Sequence, residues 1–221
     1  MNIALCIHGQ ARALNTSVYD ALKNVTIATF IHTWWDGTYE YKNVGLTNGK
    51  YNVTIPKDFL TRLHELLKPT VCVLESPKQI PIPPNFTNFA LIDSSHTMPM
   101  MYSVQEALRL PFDKHGNTFD WYVKARFDLV LQSEIQFHQL DPNYVYFAKI
   151  HPQGLPDASV VLISSKHITK FINVMECISQ CGNVGVEEHI FHHLMRMKNV
   201  EFKSLNLNYY IDRASFSTYS T

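Results

Sequence analysis

Between Asp120 and Leu131 the chain alternates and then breaks its own pattern. Trp121, Val123 and Ala125 fall on one face of an extended backbone and Tyr122 and Lys124 on the other, which predicts a half-buried strand. The segment then carries Arg126 and Asp128, opposite charges two residues apart and so on one face, into the apolar run Leu129-Val130-Leu131. Charge is costly to bury without a partner. Two arrangements answer that cost. One is an Arg–Asp ion pair closing a strand-to-loop turn. The other is a ligand site at the carboxyl end of a strand, where open α/β sheets bind their ligands. There Asp128 holds a divalent cation, and Arg126 meets a phosphate or fixes the carboxylate.

The rest of the chain predicts the sheet such a strand needs. Residues 2–7 form a continuous apolar run, as expected of a strand buried in a parallel sheet. They lead into His8-Gly9-Gln10-Ala11-Arg12 and a modest helix over 16–22, the opening of a βαβ unit. Gly9 lets backbone approach a ligand closely. Arg12 either offers its planar fork to a phosphate or is a surface charge. A second strand over 25–33 empties into Trp34-Trp35-Asp36-Gly37, rings that stack on a base or sugar or cap the core. Residues 39–53 read as a loop or ragged hairpin. A helix starts at Pro56 and carries Phe59, Leu60, Leu63, Leu66 and Leu67 at helical spacing. A third strand follows at 71–75.

Residues 76–95 hold Pro77, Pro81, Pro83 and Pro84 and predict an irregular loop. A helix over 96–110 returns the chain to the Asp120 strand. Beyond Asp128 the pattern predicts strands at 144–148 and 157–164, helices at 166–179 and 186–197, and a strand at 202–205. His189 and His193 have zinc-like spacing but no evident third ligand, which favours a surface role. Cys177 and Cys181, four apart on a helix, read as structural.

At 221 residues the chain suits one large domain. Lys plus Arg equals Asp plus Glu at 19 each, so no basic field exists to attract nucleic acid. No apolar run approaches the roughly 20 residues of a transmembrane helix. The run at 3–7 is too short for a signal-peptide core and lacks a basic leader. The expectation is a cytoplasmic protein with reduced cysteines. Its four glycosylation sequons are then chance matches.

No nucleophile elbow, Walker loop or cysteine cluster is present. The candidate ligand loops are 8–12, 126–128 and 154–157. A phosphate ligand with Mg²⁺ or Mn²⁺ suits the hard oxygen of Asp128. Four stretches carry a resemblance: Ile3-Ala4-Leu5-Cys6-Ile7-His8-Gly9-Gln10-Ala11-Arg12, Phe30-Ile31-His32-Thr33-Trp34-Trp35-Asp36, Met101-Tyr102-Ser103-Val104-Gln105-Glu106-Ala107 and Val123-Lys124-Ala125-Arg126-Phe127-Asp128-Leu129. In this order the chain resembles nucleotide-sugar glycosyltransferases of the GT-A fold, including those that decorate capsid glycoproteins of large DNA viruses.

The resemblance implies one α/β domain over residues 1–212, Rossmann-like, with a mostly parallel central sheet flanked by helices. Residues 213–221 are then a tail, or a linker to further domains of a longer chain. It implies a UDP-sugar donor, Mn²⁺ or Mg²⁺, a glycan or glycoprotein acceptor, and rhamnose or another hexose as the sugar moved. Retention at C1 is favoured, although spacing does not decide it. His8, Gly9, Gln10 and Arg12 match the nucleotide-binding first loop, and Tyr102 and Ser103 a helix beside the donor. Arg126-Phe127-Asp128 takes the place of the Asp-x-Asp metal motif, with Asp128 as the metal ligand and Arg126 sharing the charge neutralisation. The first acid of that motif is missing. Asp157 resembles the acceptor-side or catalytic acid, with Glu187 and Glu188 as alternatives. The missing acid favours a rival reading, a non-catalytic nucleotide- or sugar-binding α/β module. A metal-dependent phosphoesterase is a third, disfavoured by the lack of a second carboxylate near Asp128.

Overall fold

The computed structural model describes residues 1–10, 14–22, 24–37, 40–44, 50–83, 94–178, 180, 187–212 and 217–219; of 40–44, 50–54, 94–96 and 217–219 it describes the backbone. In chain order the elements are β1 (Asn2–Gln10), α1 (Ser17–Ala21), β2 (Thr26–Trp34), β3 (Glu40–Val44), β4 (Lys50–Thr54), α2 (Phe59–Leu67), β5 (Val71–Glu75) and α3 (Ser94–His115). Then come β6 (Trp121–Arg126), β7 (Leu129–Leu131), β8 (Val145–Ile150), β9 (Pro156–Ser164), α4 (Val174–Ile178), α5 (Glu187–Met197), β10 (Phe202–Ser204), β11 (Tyr209–Ile211) and β12 (Ser217–Tyr219).

Seven strands make the central sheet in the order β10-β8-β9-β6-β1-β2-β5. All neighbours are parallel except β9, which runs antiparallel to both β8 and β6. This is the expected mostly parallel α/β sheet. Its alternating side chains feed two cores. On one face Ala4, Cys6, Phe30, Tyr122 and Val161 pack with Met101, Val104 and Leu108 of α3 and Ile190, Phe191 and Leu194 of α5. On the other, Ile3, Leu5, Ile7, Ile31 and Val123 pack with Val18, Leu22 and the α2 stripe Phe59, Leu63 and Leu67. Fully burying one such side chain contributes about 1.5–3 kcal/mol.

Several expectations shift. The strand read as half-buried is central and covered on both faces, with Tyr122 and Lys124 as inaccessible as Val123. Helix α2 begins at Phe59, whose N–H bonds the Pro56 carbonyl, so Pro56 precedes the helix. Lys68 then turns left-handed (φ 40°) and Pro69 follows. The single helix read over 166–179 is a 3₁₀ turn, Ile168–Lys170, and a short α4. β-Branched residues and Asn173 weaken it. Residues 39–53 contain the hairpin strands β3 and β4, and β12, within the stretch read as a tail, pairs antiparallel with β4. Part of the proline-rich segment, 84–93, lies outside the described residues. Among the described residues no helix is long and apolar enough to cross a membrane.

Candidate active site

Parallel strands end together, so β1, β2 and β6 deliver their last residues to one edge of the sheet. His32, His8 and Arg126 are register partners across these strands and share the face covered by α3 and α5. Gly9, next to His8, has φ 108°, a conformation that favours glycine.

A hydrogen-bonded strut fixes this edge from the α3 side. The Gly9 N–H donates to Ser103 Oγ at 3.0 Å, and Ser103 Oγ lies 2.8 Å from His32 Nδ1. His32 Nε2 lies 2.9 Å from Glu75 Oε2, so the carboxylate makes Nε2 the donor and leaves Nδ1 to accept from Ser103. Burial depresses the His32 pKa despite Glu75, consistent with a neutral ring. Lys78 extends the strut, donating to Glu75 and, at 2.9 Å, to Tyr102 OH, with its ammonium 4.3 Å from the Tyr102 ring centroid. Burial works to raise the Glu75 pKa, but the hydrogen bonds from Lys78 and His32 outweigh it and hold the pKa below the usual range. Trp34 packs at 5.4 Å on Tyr102 and donates to the Pro99 carbonyl at 3.1 Å. Core capping, one of the two readings for the tryptophans, is thus what Trp34 does here.

His8 stands apart. It is 2% exposed, and neither ring nitrogen has a hydrogen-bond partner among the described residues. Its pKa is driven well down, first by burial and then by the charges of Lys124, Arg126 and His32, so the ring is neutral. Orphaned buried polar groups are rare and costly.

On β6, Lys124 is wholly buried and donates to the Ala158 carbonyl and to Glu187, with Phe191 packed beside it. Burial lowers the Lys124 pKa and Glu187 opposes that shift. Glu187 therefore faces inward as a structural partner. Arg126 grips Asp128 side-on, Nε to Oδ1 and Nη2 to Oδ2, both at 2.8 Å. Burial disfavours the Arg126 charge, but the Asp128 contacts more than compensate and raise its pKa. Asp128 is anchored from behind, its backbone carbonyl accepting the Asp212 N–H at 2.7 Å, where β11 pairs with β7.

The acidic side of the edge comes from β9 and α5. Asp157 accepts from Tyr209 OH and, at 2.9 Å, from the Ser159 N–H. Burial works to raise the Asp157 pKa, but these hydrogen bonds prevail and hold it below the carboxylate range. Tyr209 is pushed up to about 12 by burial and by Asp157. Glu188 moves the other way, raised by burial and by the charges of Glu187 and Asp157. Two neighbouring carboxyls with oppositely shifted pKa values are the usual sign of divided acid–base roles.

The structure thus brings His8, Gly9, Tyr102, Ser103, Arg126, Asp128, Asp157, Glu187 and Glu188 to one end of the sheet, with Gln10 closing β1 opposite Trp34. Arg12 lies outside the described residues. Ser103 is fully buried and acts by bracing Gly9 and His32. His32, Glu75, Lys78 and Tyr209 are site residues that sequence reading missed, and Lys124 went unrecognised as one. The available signal was Lys124 itself, a cation flanked by Val123 and Ala125 in an apolar strand; Tyr209 had none.

A metal at Asp128 was expected. The carboxylate there is already taken on both oxygens by a guanidinium, and among the described residues no group of three or more His, Cys, Asp or Glu could hold a metal ion. These residues do not fit a metal centre built by the protein.

No family model matches the chain, and no curated protein matches it. Among solved structures it is similar to the glycosyltransferase GlyE of Streptococcus pneumoniae TIGR4, at 15% identity and TM-score 0.49 over 93% of this chain and 45% of GlyE. It is also similar to the bifunctional glycosyltransferase WbbM in its apo structure, at 12% identity and TM-score 0.43 over 88% of this chain and 37% of WbbM. A further likeness is to an active-site mutant of LgtC, at 14% identity and TM-score 0.49 over 88% of this chain and 70% of LgtC. The chain therefore spans less than half the length of GlyE or WbbM.

Proposed function

We propose that this chain is a glycosyltransferase that carries a sugar from a UDP-sugar to a hydroxyl of a glycan or glycoprotein. One juxtaposition carries the reading: a cation suited to an anion, Arg126, and a proton-accepting carboxyl, Glu188, whose charges interact at one end of the sheet. Direct displacement at a nucleotide sugar uses both. The bond between the sugar C1 and the β-phosphate oxygen breaks, and its electron pair leaves with the diphosphate. Arg126 meets the charge that grows there. The acceptor oxygen forms the new bond to C1 and gives its proton to Glu188, whose proton affinity is raised by burial and by the neighbouring Glu187 charge. Asp157, held ionised, faces the developing positive charge of the sugar ring or orients the acceptor. A base of this kind goes with direct displacement and inversion at C1, against the retention that the resemblance favours.

UDP as the nucleotide rests on the sequence likeness at residues 3–12 and 123–129. The likeness to capsid-decorating enzymes makes UDP-rhamnose the first donor to try, followed by other UDP-hexoses. The test is UDP release from this panel with glycan acceptors, with the anomeric configuration of the product read by NMR. Glu188→Gln is expected to slow turnover by about 10²- to 10⁴-fold while UDP still binds. The rival, a binding module, is favoured by the arginine standing where an acid was expected. It predicts UDP binding with no turnover of any donor.

A further inference from the structure

The side-on grip of Arg126 on Asp128 uses only one edge of the guanidinium. Nε–H and one Nη2–H point at the carboxylate. The remaining Nη1–H and Nη2–H lie on the adjoining edge, parallel to each other and spaced for two oxygens of one phosphate. No described residue engages that edge, and the Arg126 side chain is 25% exposed although Asp128 is closed off at 4%. Asp128 therefore serves as the mount, holding the fork in one orientation and leaving its other edge without a hydrogen bond to any described residue.

Beside it, in register on β1 and on the same face, lies His8, buried and without a hydrogen-bond partner among the described residues. A neutral imidazole has one N–H to donate to an anion. Gly9 follows in a conformation that lets a ligand approach the backbone. A guanidinium edge and an orphaned imidazole on adjacent strands supply donors of the kind a diphosphate accepts from.

We propose that the chain neutralises a nucleoside diphosphate with Arg126, mounted on Asp128 and assisted by His8, in place of a divalent cation held by the protein. The inference rests on the transferase reading above and adds to it that donor binding and departure are independent of metal. The residue that looked like a degenerate metal motif is then a working substitution. The ion's charge is supplied by a fixed guanidinium, and the carboxylate that would have coordinated the ion orients that guanidinium instead.

The experiment is calorimetric titration of UDP into the wild-type chain in EDTA and in Mn²⁺, together with electron paramagnetic resonance of Mn²⁺ added to the chain with and without UDP. The expected result is UDP affinity equal within about twofold in the two conditions, with no protein-bound Mn²⁺ signal that depends on Asp128. Arg126→Gln alone takes the guanidinium from the buried Asp128 carboxylate and risks misfolding. The double substitution Arg126→Gln with Asp128→Asn removes both charges together and, once circular dichroism shows it folded, carries the test. It should weaken UDP binding about tenfold to a hundredfold in both conditions, the range for losing hydrogen bonds to a charged group. His8→Ala should weaken it further.

Mn²⁺ that strengthens UDP binding about tenfold or more, with the gain lost in Asp128→Asn, would overturn the inference and leave the transferase reading standing. A double variant that binds UDP as wild type does would overturn it as well. No UDP binding by the wild type in either condition would sink the transferase reading and the inference with it.

Discussion

Replacing Lys124 with Met asks what a buried cation does for this sheet. Lys124 is 0% exposed and its ammonium has two partners, the Ala158 carbonyl and Glu187, itself nearly inaccessible. Met matches the length of the stem, so the hydrophobic packing is kept and the change falls on the charge. Glu187 is then left buried without its counter-ion, and breaking such a pair costs about 3–5 kcal/mol. At about 2–4 °C per kcal/mol for a domain of this size, the melting temperature should fall by roughly 6–20 °C. The double change Lys124→Met with Glu187→Leu removes both charges and should recover most of the loss, because apolar replacement of a whole buried pair is often neutral or stabilising. Urea unfolding followed by circular dichroism on the wild type, both single variants and the double variant gives the coupling energy. A value of about 2 kcal/mol or more is expected for groups in direct contact. A single variant losing less than about 1 kcal/mol, or additive effects, would refute the ion pair as a structural tie between β6 and α5.

Three further outcomes follow from the site. Glu188 has a raised folded-state pKa, so its contribution favours the fold most below the unfolded carboxyl value and is lost as pH rises through the folded one. Glu188→Gln should therefore stabilise the chain at neutral pH, with the gain fading in acid, as thermal melts across pH would report. His8 has a depressed pKa, so its contribution holds above the unfolded histidine value of about 6.5 and is lost as pH falls below it. His8→Leu should flatten that acid-side loss and, by removing an orphaned polar group, stabilise by about 1–3 kcal/mol while UDP affinity drops; urea midpoints and calorimetry check the two halves. Ser103→Ala strips partners from the Gly9 N–H and His32 Nδ1 together, and should destabilise by about 2 kcal/mol in urea unfolding.

The strands of the parallel half of the sheet were legible in the sequence. Residues 2–7, 25–33 and 71–75 are short, rich in apolar residues and set off by Gly, Pro or Asn, and each became a parallel strand, β1 buried on both faces and β5 at the sheet edge with its residues only partly covered. The run at 157–164 had the same look, yet it lies antiparallel between β6 and β8. Strand direction is set by where the connection returns, and local composition carries no record of that. Lys124 was misjudged for a related reason. Alternation reports which face a residue is on, and only the helices packed above decide whether that face meets water.

The sequence by itself determined the class of the sheet and the residues at its carboxyl edge: His8, Gly9, Arg126, Asp128, Asp157 and Glu188 were all named from local pattern, motif position or resemblance. Both meanings of the Arg126–Asp128 pair were legible there too, since two charges on one strand face must satisfy each other or a ligand. Tertiary structure decided that they satisfy each other, that Glu187 turns inward to Lys124, and that Glu188 is left with the raised pKa. It also brought in Tyr209, 52 residues from Asp157, and Glu75, 43 residues from His32. Hydrogen bonds and pKa shifts depend on distances that only folding creates, and a linear pattern holds no measure of them.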